Sequence, residues 1–191
     1  MTGGKIEGAR REDIMKIKGT LMDAEGMKST FRRLAHQVIE RNDGVKNLVL
    51  IGIKTRGVTV AERILAELKN IEGEQVPMGA FDIALYRDDL GENSDIAFLG
   101  SEIDFSLDGK DVLICDDVIY TGRTVRAAIS EIMQLGRPKS VQLLALIDRG
   151  HRELPFRADY TGKNVPTSHK EGIAVRFVEN DGEDCVLIYE K

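Results

Sequence analysis

The 191-residue sequence is poor in cysteine, and its two cysteines, Cys115 and Cys185, lie far apart. They form no CxxC pair, so neither a disulfide framework nor a cysteine zinc site is indicated. No apolar run approaches the roughly 20 residues needed to cross a bilayer. The N-terminal residues also lack the apolar stretch of a signal peptide. These absences predict a soluble cytoplasmic protein with no membrane partner.

An excess of positive charge is also missing, since 27 Lys and Arg residues face 32 Asp and Glu residues. Indiscriminate nucleic-acid binding is therefore not expected, although a local basic face is compatible with this total. The chain has no internal repeat, and a hydrophobic content of 42% suffices for one core. We predict a flexible tail over residues 1–20 and a single domain over residues 21–191.

Apolar strands alternate with amphipathic helices, which predicts an α/β domain with a largely parallel sheet. The stretch from Arg87 to about Asp95 has few apolar anchors and predicts a mobile loop. The predicted elements, in chain order, are a helix from Met27 that ends at residues 42–44, a strand over 48–53, a helix from Val58, a strand over 81–86, a strand over 112–115, a helix over 125–135, and strands over 141–147 and 185–189.

The most informative segment is VLICDDVIYTGRT at residues 112–124. Its apolar start predicts a strand buried on both faces, so Asp116 and Asp117 should emerge at the carboxyl end, where open α/β sheets bind ligands. Two carboxylates can hold the two hydroxyls of a ribose. The turn from Thr121 to Thr124 then offers hydroxyls and backbone N–H groups at a helix start, which suits a phosphate. The alternative, a Rossmann-like turn with solvated acids, explains less of this pattern.

This segment resembles the motif with which type I phosphoribosyltransferases bind phosphoribosyl diphosphate (PRPP). The turn Lys54-Thr55-Arg56-Gly57 extends the interpretation, because its cations and hydroxyl suit a diphosphate and its glycine allows close approach of the main chain. Taken alone, that turn would be an ordinary strand-to-helix connection with surface charges. We further predict that a hairpin after Tyr86 closes over PRPP and brings Arg87 to the diphosphate. A merely solvated loop is the alternative.

Longer segments narrow the family: GIKTRG at 52–57, LYRDD at 85–89, VIYTGRT at 118–124, DRGHRELP at 148–155 and GKNVPTS at 162–168. Together they closely resemble the PyrR family, from about Met22 to the C-terminus. Members of that family regulate pyrimidine operons by binding leader mRNA and also have uracil phosphoribosyltransferase activity. The resemblance implies a type I phosphoribosyltransferase fold, with a largely parallel central sheet flanked by helices, a mobile hairpin loop and a small hood region.

The resemblance implies the reaction of uracil with PRPP to give UMP and diphosphate, with Mg²⁺ carried by PRPP and no metal held by the protein alone. The catalytic residues implied are Asp116, Asp117 and Arg87. The substrate-binding residues implied are Thr55, Arg56, Arg87, Asp116, Asp117, Val118, Ile119, Tyr120, Thr121, Gly122, Arg123, Thr124, Arg149 and Ile173, with Ile173 at a backbone contact to the base. No residue is identified as a general base.

Two segments carry a local excess of positive charge: residues 28–46 and 149–170 each hold five Lys or Arg against two Asp or Glu. Charge alone favours a solvated helix face and a charged loop. The resemblance favours RNA contact instead, through Arg33, His36, Arg41, Arg152, Arg157 and Lys163. Arg32 departs from the family pattern, which has a small hydroxyl residue there, and the extra cation would either strengthen phosphate contact or disturb base readout.

Catalysis and RNA regulation are compatible, because one pocket can bind UMP or UTP as a signal and so bias RNA binding. Two alternatives remain open: a phosphoribosyltransferase without RNA regulation, and one that acts on a purine base. The resemblance also implies a homodimer, which can assemble further.

Overall fold

The computed structural model describes residues 16–85 and 96–191. In chain order its elements are β1 (Lys16–Met22), α1 (Ala24–Asn42), β2 (Leu48–Ile53), α2 (Arg56–Glu72), β3 (Met78–Leu85), β4 (Ile96–Glu102), β5 (Asp111–Ile119), α3 (Arg123–Leu135), β6 (Ser140–Asp148), β7 (Tyr160–Asn164), β8 (Glu171–Arg176), α4 (Val178–Asp181) and β9 (Cys185–Glu190). The predicted loop around Arg87 lies outside the described residues.

A six-stranded sheet in the order β4-β3-β2-β5-β6-β7 forms the centre of the structure. Its strands run parallel except for β4, which pairs antiparallel with β3. Residues of α1 and α2 pack on one face with Leu48 and Leu50. Residues of α3 pack on the other face with Val49 and Ile51. Because both faces are covered, β2 is buried throughout and shows no polar alternation. The predicted α/β fold with a largely parallel sheet flanked by helices is confirmed.

A smaller antiparallel sheet in the order β1-β9-β8 lies apart from the central sheet and corresponds to the predicted hood. Its first strand corrects one prediction: residues 16–20, assigned to the flexible tail, belong to β1, while residues 1–15 lie outside the described residues. Lys18 of β1 forms an ion pair with Glu171 of β8. Because β1 pairs with the far end of the chain, no local pattern marked it as a strand.

The strand β5 is longer than predicted. We expected it to end at Cys115, but it continues through the acidic pair to Ile119. Its partner β2 stops pairing at Cys115, whereas β6 continues alongside as far as Ile119. The acidic pair therefore lies on a strand that projects beyond one neighbour, and this leaves room beside it.

Helix ends follow the local chemistry of the sequence. The carboxylate of Asp23 accepts a hydrogen bond from the Gly26 N–H at 2.8 Å and so caps α1 at its start. The helix ends at Asn42, and the residue that caps it, Asp43, has a left-handed conformation with φ 52° and precedes Gly44. The end of this helix at residues 42–44 is confirmed. No helix within residues 16–85 or 96–191 is long and apolar enough to cross a membrane.

Candidate active site and basic edge

The two acidic residues of β5 are held by hydrogen bonds to the following backbone. The Asp116 carboxylate accepts from the Asp117 N–H at 3.0 Å, and the Asp117 carboxylate accepts from the Val118 N–H at 2.9 Å. Asp116 is only 8% exposed. Both side chains are thus fixed by main-chain donors at the projecting end of β5.

Burial shifts the ionisation of this pair. It raises the pKa of Asp116 well above its ordinary value, and the adjacent Asp117 charge raises it further. Burial also raises the pKa of Asp117, while hydrogen bonds and the positive charge of Arg56 partly lower it. Hydroxyl donors and cations stabilise a buried carboxylate, because both compensate a negative charge that is no longer hydrated. Such perturbed pKa values mark candidate functional sites.

The turn between β2 and α2 packs directly against this acidic pair, and two glycines allow it. A Cβ on Gly57 would lie 2.5 Å from the Cys115 carbonyl oxygen, and one on Gly52 would lie 2.6 Å from the Val58 Cα. A side chain at Gly57 would push the turn away from β5, and one at Gly52 would push the start of α2 away from β2. Gly57, which we expected to let the main chain approach a ligand, therefore serves the packing of the turn on β5. The peptide bond between Lys54 and Thr55 in this turn is cis.

The two cations of the turn point to different places. Lys54 forms ion pairs with Glu102 of β4 and, at 3.9 Å, with Asp82 of β3. Arg56 instead lines a cavity beside Asp117. The exposed Thr55 precedes α2 and makes no side-chain capping hydrogen bond. Of the predicted diphosphate ligands, Arg56 is thus the cation that lies beside the acidic pair.

This cavity has a volume of about 190 Å³ and lies between the central sheet and the hood. Asp117 of β5 and Arg56 of α2 form its central-sheet side. The hood contributes the residues Ile173, Ala174, Val175, Arg176 and Tyr189. The structure therefore brings together Asp117, Arg56 and Ile173, which the sequence had placed in one site. Sequence reasoning missed Tyr189, because only strand pairing brings β9 to the cavity.

The turn after β5 leads into α3, which begins at Arg123. Gly122 adopts φ +91°, a conformation that disfavours other residues, and its Cβ would meet Phe156 at 3.4 Å. The Thr121 Oγ1 accepts a 3.4 Å hydrogen bond from the Arg123 N–H, and the Arg123 Nε donates to Glu153 at 2.6 Å. The first turn of α3 contains no acidic residue. This helix start therefore suits an anion.

Arg149 follows β6 and is almost fully buried, with 7% exposure. Its Nε donates to the Thr167 hydroxyl at 3.2 Å, and its Nη2 donates to the Glu171 carbonyl at 2.7 Å. Its guanidinium carbon lies 4.1 Å from the centre of the Tyr120 ring. Arg149 thus connects the turn after β5 to the start of β8. Thr167 lies in a motif that the sequence analysis quoted, but it was given no role, because only the fold brings it to Arg149.

Three of the predicted RNA contacts, from both basic segments, lie at or next to β7, an edge strand of the central sheet. Arg33 of α1 donates to the Gly162 carbonyl at 2.6 Å, and Arg41 forms an ion pair with Asp159 at 2.8 Å. Lys163 donates to the Leu21 carbonyl at 2.7 Å. We add two further exposed side chains, His36 of α1 and Arg157 of the segment before β7. The resulting set is called the basic edge: Arg33, His36, Arg41, Arg157 and Lys163.

Arg152, a further predicted RNA contact, is directed inward. It donates to the carbonyls of Tyr120 at 2.6 Å and Phe156 at 2.9 Å, and it forms an ion pair with Asp148 at 2.5 Å. Its side chain is 18% exposed. These contacts hold the loop after β6 against the turn after β5. An RNA contact through Arg152 stays a prediction, and its visible contacts are structural.

Arg32 lies on a different side of α1 from Arg33. Arg32 lines a groove of about 460 Å³ between α1 and α2, where Lys28 and Glu67 also lie. Arg33 instead contacts β7. The residue that departs from the family pattern is therefore directed away from the contacts that tie α1 to β7.

Within the two described ranges, no group of three or more His, Cys, Asp or Glu side chains is placed to hold a metal ion. Both cysteines are buried and free. Burial raises the pKa of the Cys115 thiol, which keeps it in the neutral form.

Comparison with known proteins identifies relatives of nearly full length. The family model described as "Phosphoribosyl transferase domain" matches residues 19–177. "Bifunctional protein PyrR" of Pelotomaculum thermopropionicum is 56% identical over 178 residues, covering 93% of this chain and 98% of that protein. "Bifunctional protein PyrR" of Clostridioides difficile is 54% identical over 177 residues, covering 92% of this chain and 100% of that protein.

Solved structures show the same fold at lower sequence identity. A hypoxanthine phosphoribosyltransferase of Trypanosoma cruzi has a TM-score of 0.74 at 20% identity, covering 91% of this chain and 96% of its own. A hypoxanthine-guanine phosphoribosyltransferase of Bacillus anthracis has a TM-score of 0.71 at 20% identity, covering 90% of this chain and 98% of its own. At this identity the two structures support the fold and carry no conclusion about the base.

Proposed function

The chain belongs to the PyrR family, and we propose that it converts uracil and PRPP to UMP and diphosphate and also binds pyrimidine-operon leader mRNA under the control of uridine nucleotides. The observation that carries the enzymatic part is the cavity that joins Asp117, Arg56 and Ile173 between the central sheet and the hood. It offers the carboxylate of Asp117 and the guanidinium of Arg56 on one wall and the backbone of β8 on the other. A ribose with a diphosphate and a base requires that combination.

In this proposal Asp116 and Asp117 hold the ribose hydroxyls, and Thr55 and Arg56 bind the diphosphate. The 5′-phosphate lies at the start of α3, and the turn that receives it comprises Val118, Ile119, Tyr120, Thr121, Gly122, Arg123 and Thr124. As the bond from C1 to diphosphate breaks, the ribose acquires oxocarbenium character and the leaving group gains negative charge. Fixed carboxylates stabilise the first charge, and Arg56 stabilises the second.

Uracil would lie against the β8 side of the cavity, where the backbone at Ile173 can hydrogen-bond to its edge. Strand backbone offers an N–H and a C=O in fixed positions, which suits the alternating donors and acceptors of a pyrimidine. Arg149 would act from behind this wall, because it holds the start of β8 through the Glu171 carbonyl. Arg87, the proposed closing residue, lies outside the described residues.

The residues present fit a magnesium ion brought in by PRPP. Magnesium is commonly held by one or two carboxylates together with substrate phosphates, and Asp116 and Asp117 supply two adjacent carboxylates. When bound, the ion neutralises charge on the diphosphate. The aspartates would then serve both the ribose hydroxyls and the hydrated ion, while Arg56 binds the leaving group.

The RNA function is assigned to the basic edge. Cations at fixed positions contact phosphates, and side chains such as His36 can read unpaired bases in a loop. UMP or UTP in the cavity would favour RNA binding if the RNA-competent form binds the nucleotide more tightly. We place this activity in the cytoplasm and assign it to a homodimer, which can assemble further.

Two assays test the proposal. Uracil, hypoxanthine and guanine are offered with PRPP and Mg²⁺ to the purified protein, and turnover of uracil alone is expected. A purine preference would replace the proposed substrate. A labelled leader hairpin and a scrambled hairpin of equal length are then titrated with and without UMP. Selective binding that UMP strengthens is expected, whereas equal and UMP-indifferent binding of both hairpins would leave a phosphoribosyltransferase without RNA regulation.

A further inference from the structure

The short helix α4 and the turn after it lie along one face of α2. The Arg56 Nη2 donates to the Asp181 carboxylate at 2.8 Å, and the Thr59 hydroxyl donates to the Asn180 side-chain oxygen at 2.9 Å. One turn further along α2, Arg63 contacts Glu179 at 2.6 Å and Asp184 at 2.6 Å. Residues three and four positions apart share a helix face, so Arg56, Thr59 and Arg63 contact this part of the hood from one face of α2.

Arg63 ties the hood to α2 at a second point. Arg63 binds two carboxylates, and its guanidinium carbon also lies 4.8 Å from the centre of the Phe177 ring. A guanidinium that pairs with carboxylates and packs on an aromatic ring makes a strong local anchor. The hood is therefore held to α2 by an anchor that does not involve Arg56.

Asp181 is itself held rigidly by its own turn. Its second carboxylate oxygen accepts from the Phe177 N–H at 3.0 Å, and its own N–H donates to the Phe177 carbonyl at 2.6 Å. The side chain is 12% exposed. The position of this carboxylate is therefore set by α4, independently of Arg56.

The Arg56 guanidinium keeps one donor, Nε, that no described residue binds. Its Nε is buried and has no hydrogen-bond partner among the described residues. The same side chain lines the cavity beside Asp117. A guanidinium has five N–H donors in a fixed planar fork, so a carboxylate on Nη2 orients the remaining donors.

We propose that Asp181 is a positioning residue for PRPP: it holds the guanidinium of Arg56 at the cavity in the orientation that meets the diphosphate. This inference rests on the proposed function of the cavity and adds a hood residue to the diphosphate site. The hood would thereby take part in binding the leaving group as well as the base. A planar guanidinium held in advance loses less conformational freedom on binding than a freely rotating one.

The test compares Asp181→Asn with Glu179→Gln. Both variants remove one carboxylate from α4 that pairs with an arginine of α2, but Glu179 pairs with Arg63 outside the cavity. PRPP affinity is measured by calorimetry with Mg²⁺, and KM is measured separately for PRPP and uracil. We expect Asp181→Asn to weaken PRPP binding about tenfold, as for loss of one charged hydrogen bond. The KM for uracil and the thermal midpoint should change little, and Glu179→Gln should retain PRPP affinity.

A double variant adds a readout that a merely structural role would not give. If Asp181 acts through Arg56, Asp181→Asn should weaken PRPP binding much less in an Arg56→Lys background than in the wild type. Equal losses in both backgrounds, wild-type PRPP affinity of Asp181→Asn, or an equal loss in Glu179→Gln would each overturn the inference. Wild-type protein that binds PRPP without using uracil would contradict the proposed reaction alone. Absence of PRPP binding to the wild type would overturn both.

Discussion

The cavity and the basic edge hold their charges in opposite ways. At the cavity, the carboxylate of Asp117 lies with the guanidinium groups of Arg56 and Arg176 and next to the buried Asp116, and the pKa values of Asp116 and Asp117 are raised. Along the basic edge, the side chains of Arg33, His36 and Arg157 are exposed. Buried charges interact strongly because little water screens them, whereas exposed charges are screened and act as a group. Single substitutions should therefore have large effects in the cavity and smaller, salt-dependent effects at the edge.

The largest expected effect is that of Asp117→Asn on catalysis. Removing this charge takes away a fixed carboxylate where positive charge develops on the ribose, and kcat/KM for PRPP should fall about 100-fold or more. Steady-state turnover of uracil measures it. Glu62→Gln, an exposed position on α2, is the control and should behave as wild type. Wild-type turnover by Asp117→Asn would remove the central assignment of the cavity.

A smaller effect is expected for Arg33→Ala at the basic edge. RNA affinity should fall about tenfold at low salt, because one positioned cation is lost, while uracil turnover should be retained. The neighbouring Arg32→Ala removes the same charge from the groove side of α1 and should weaken RNA binding less. Equal losses of RNA binding and turnover in Arg33→Ala would indicate damage to the contact between α1 and β7.

The third prediction concerns stability and pH at Asp116. Because its pKa is raised in the folded protein, the folded state binds more protons than the unfolded state, so stability is lost as pH rises from the unfolded pKa towards the folded one. Asp116→Asn should therefore stabilise the ligand-free protein by about 1 kcal/mol at neutral pH while abolishing efficient PRPP use. Denaturant melts at several pH values measure it, and the gain should shrink near pH 4. A destabilised variant at neutral pH would contradict this account.

The smallest effect is expected in the salt dependence of RNA binding. Lys163→Ala should reduce the slope of log affinity against log salt by about 1, since one phosphate contact is lost. RNA titrations at a series of salt concentrations give this slope. An unchanged slope would mean that Lys163, which donates to the Leu21 carbonyl, serves the contact between β7 and β1 instead.

Local patterns were reliable where burial covers both faces of an element. The strand at residues 48–53 was predicted with its observed bounds. A short uninterrupted apolar run between turns is typical of a parallel strand that is buried on both faces. The acidic pair and the turn into α3 were also predictable, since their chemistry lies within one segment. By contrast, β1 and β8 carry polar residues on a half-exposed sheet and were missed.

The amino-acid sequence by itself determined the fold class, the position of the acidic pair and the family. Only the tertiary structure decided which of two similar residues faces the site. Lys54 and Arg56 look alike in the sequence, yet Lys54 pairs with β4 while Arg56 lines the cavity. Arg152 and Lys163 belong to one basic segment, yet Arg152 is directed inward. The reason is that side-chain direction depends on strand register and on packing between segments remote in sequence, which no local pattern encodes.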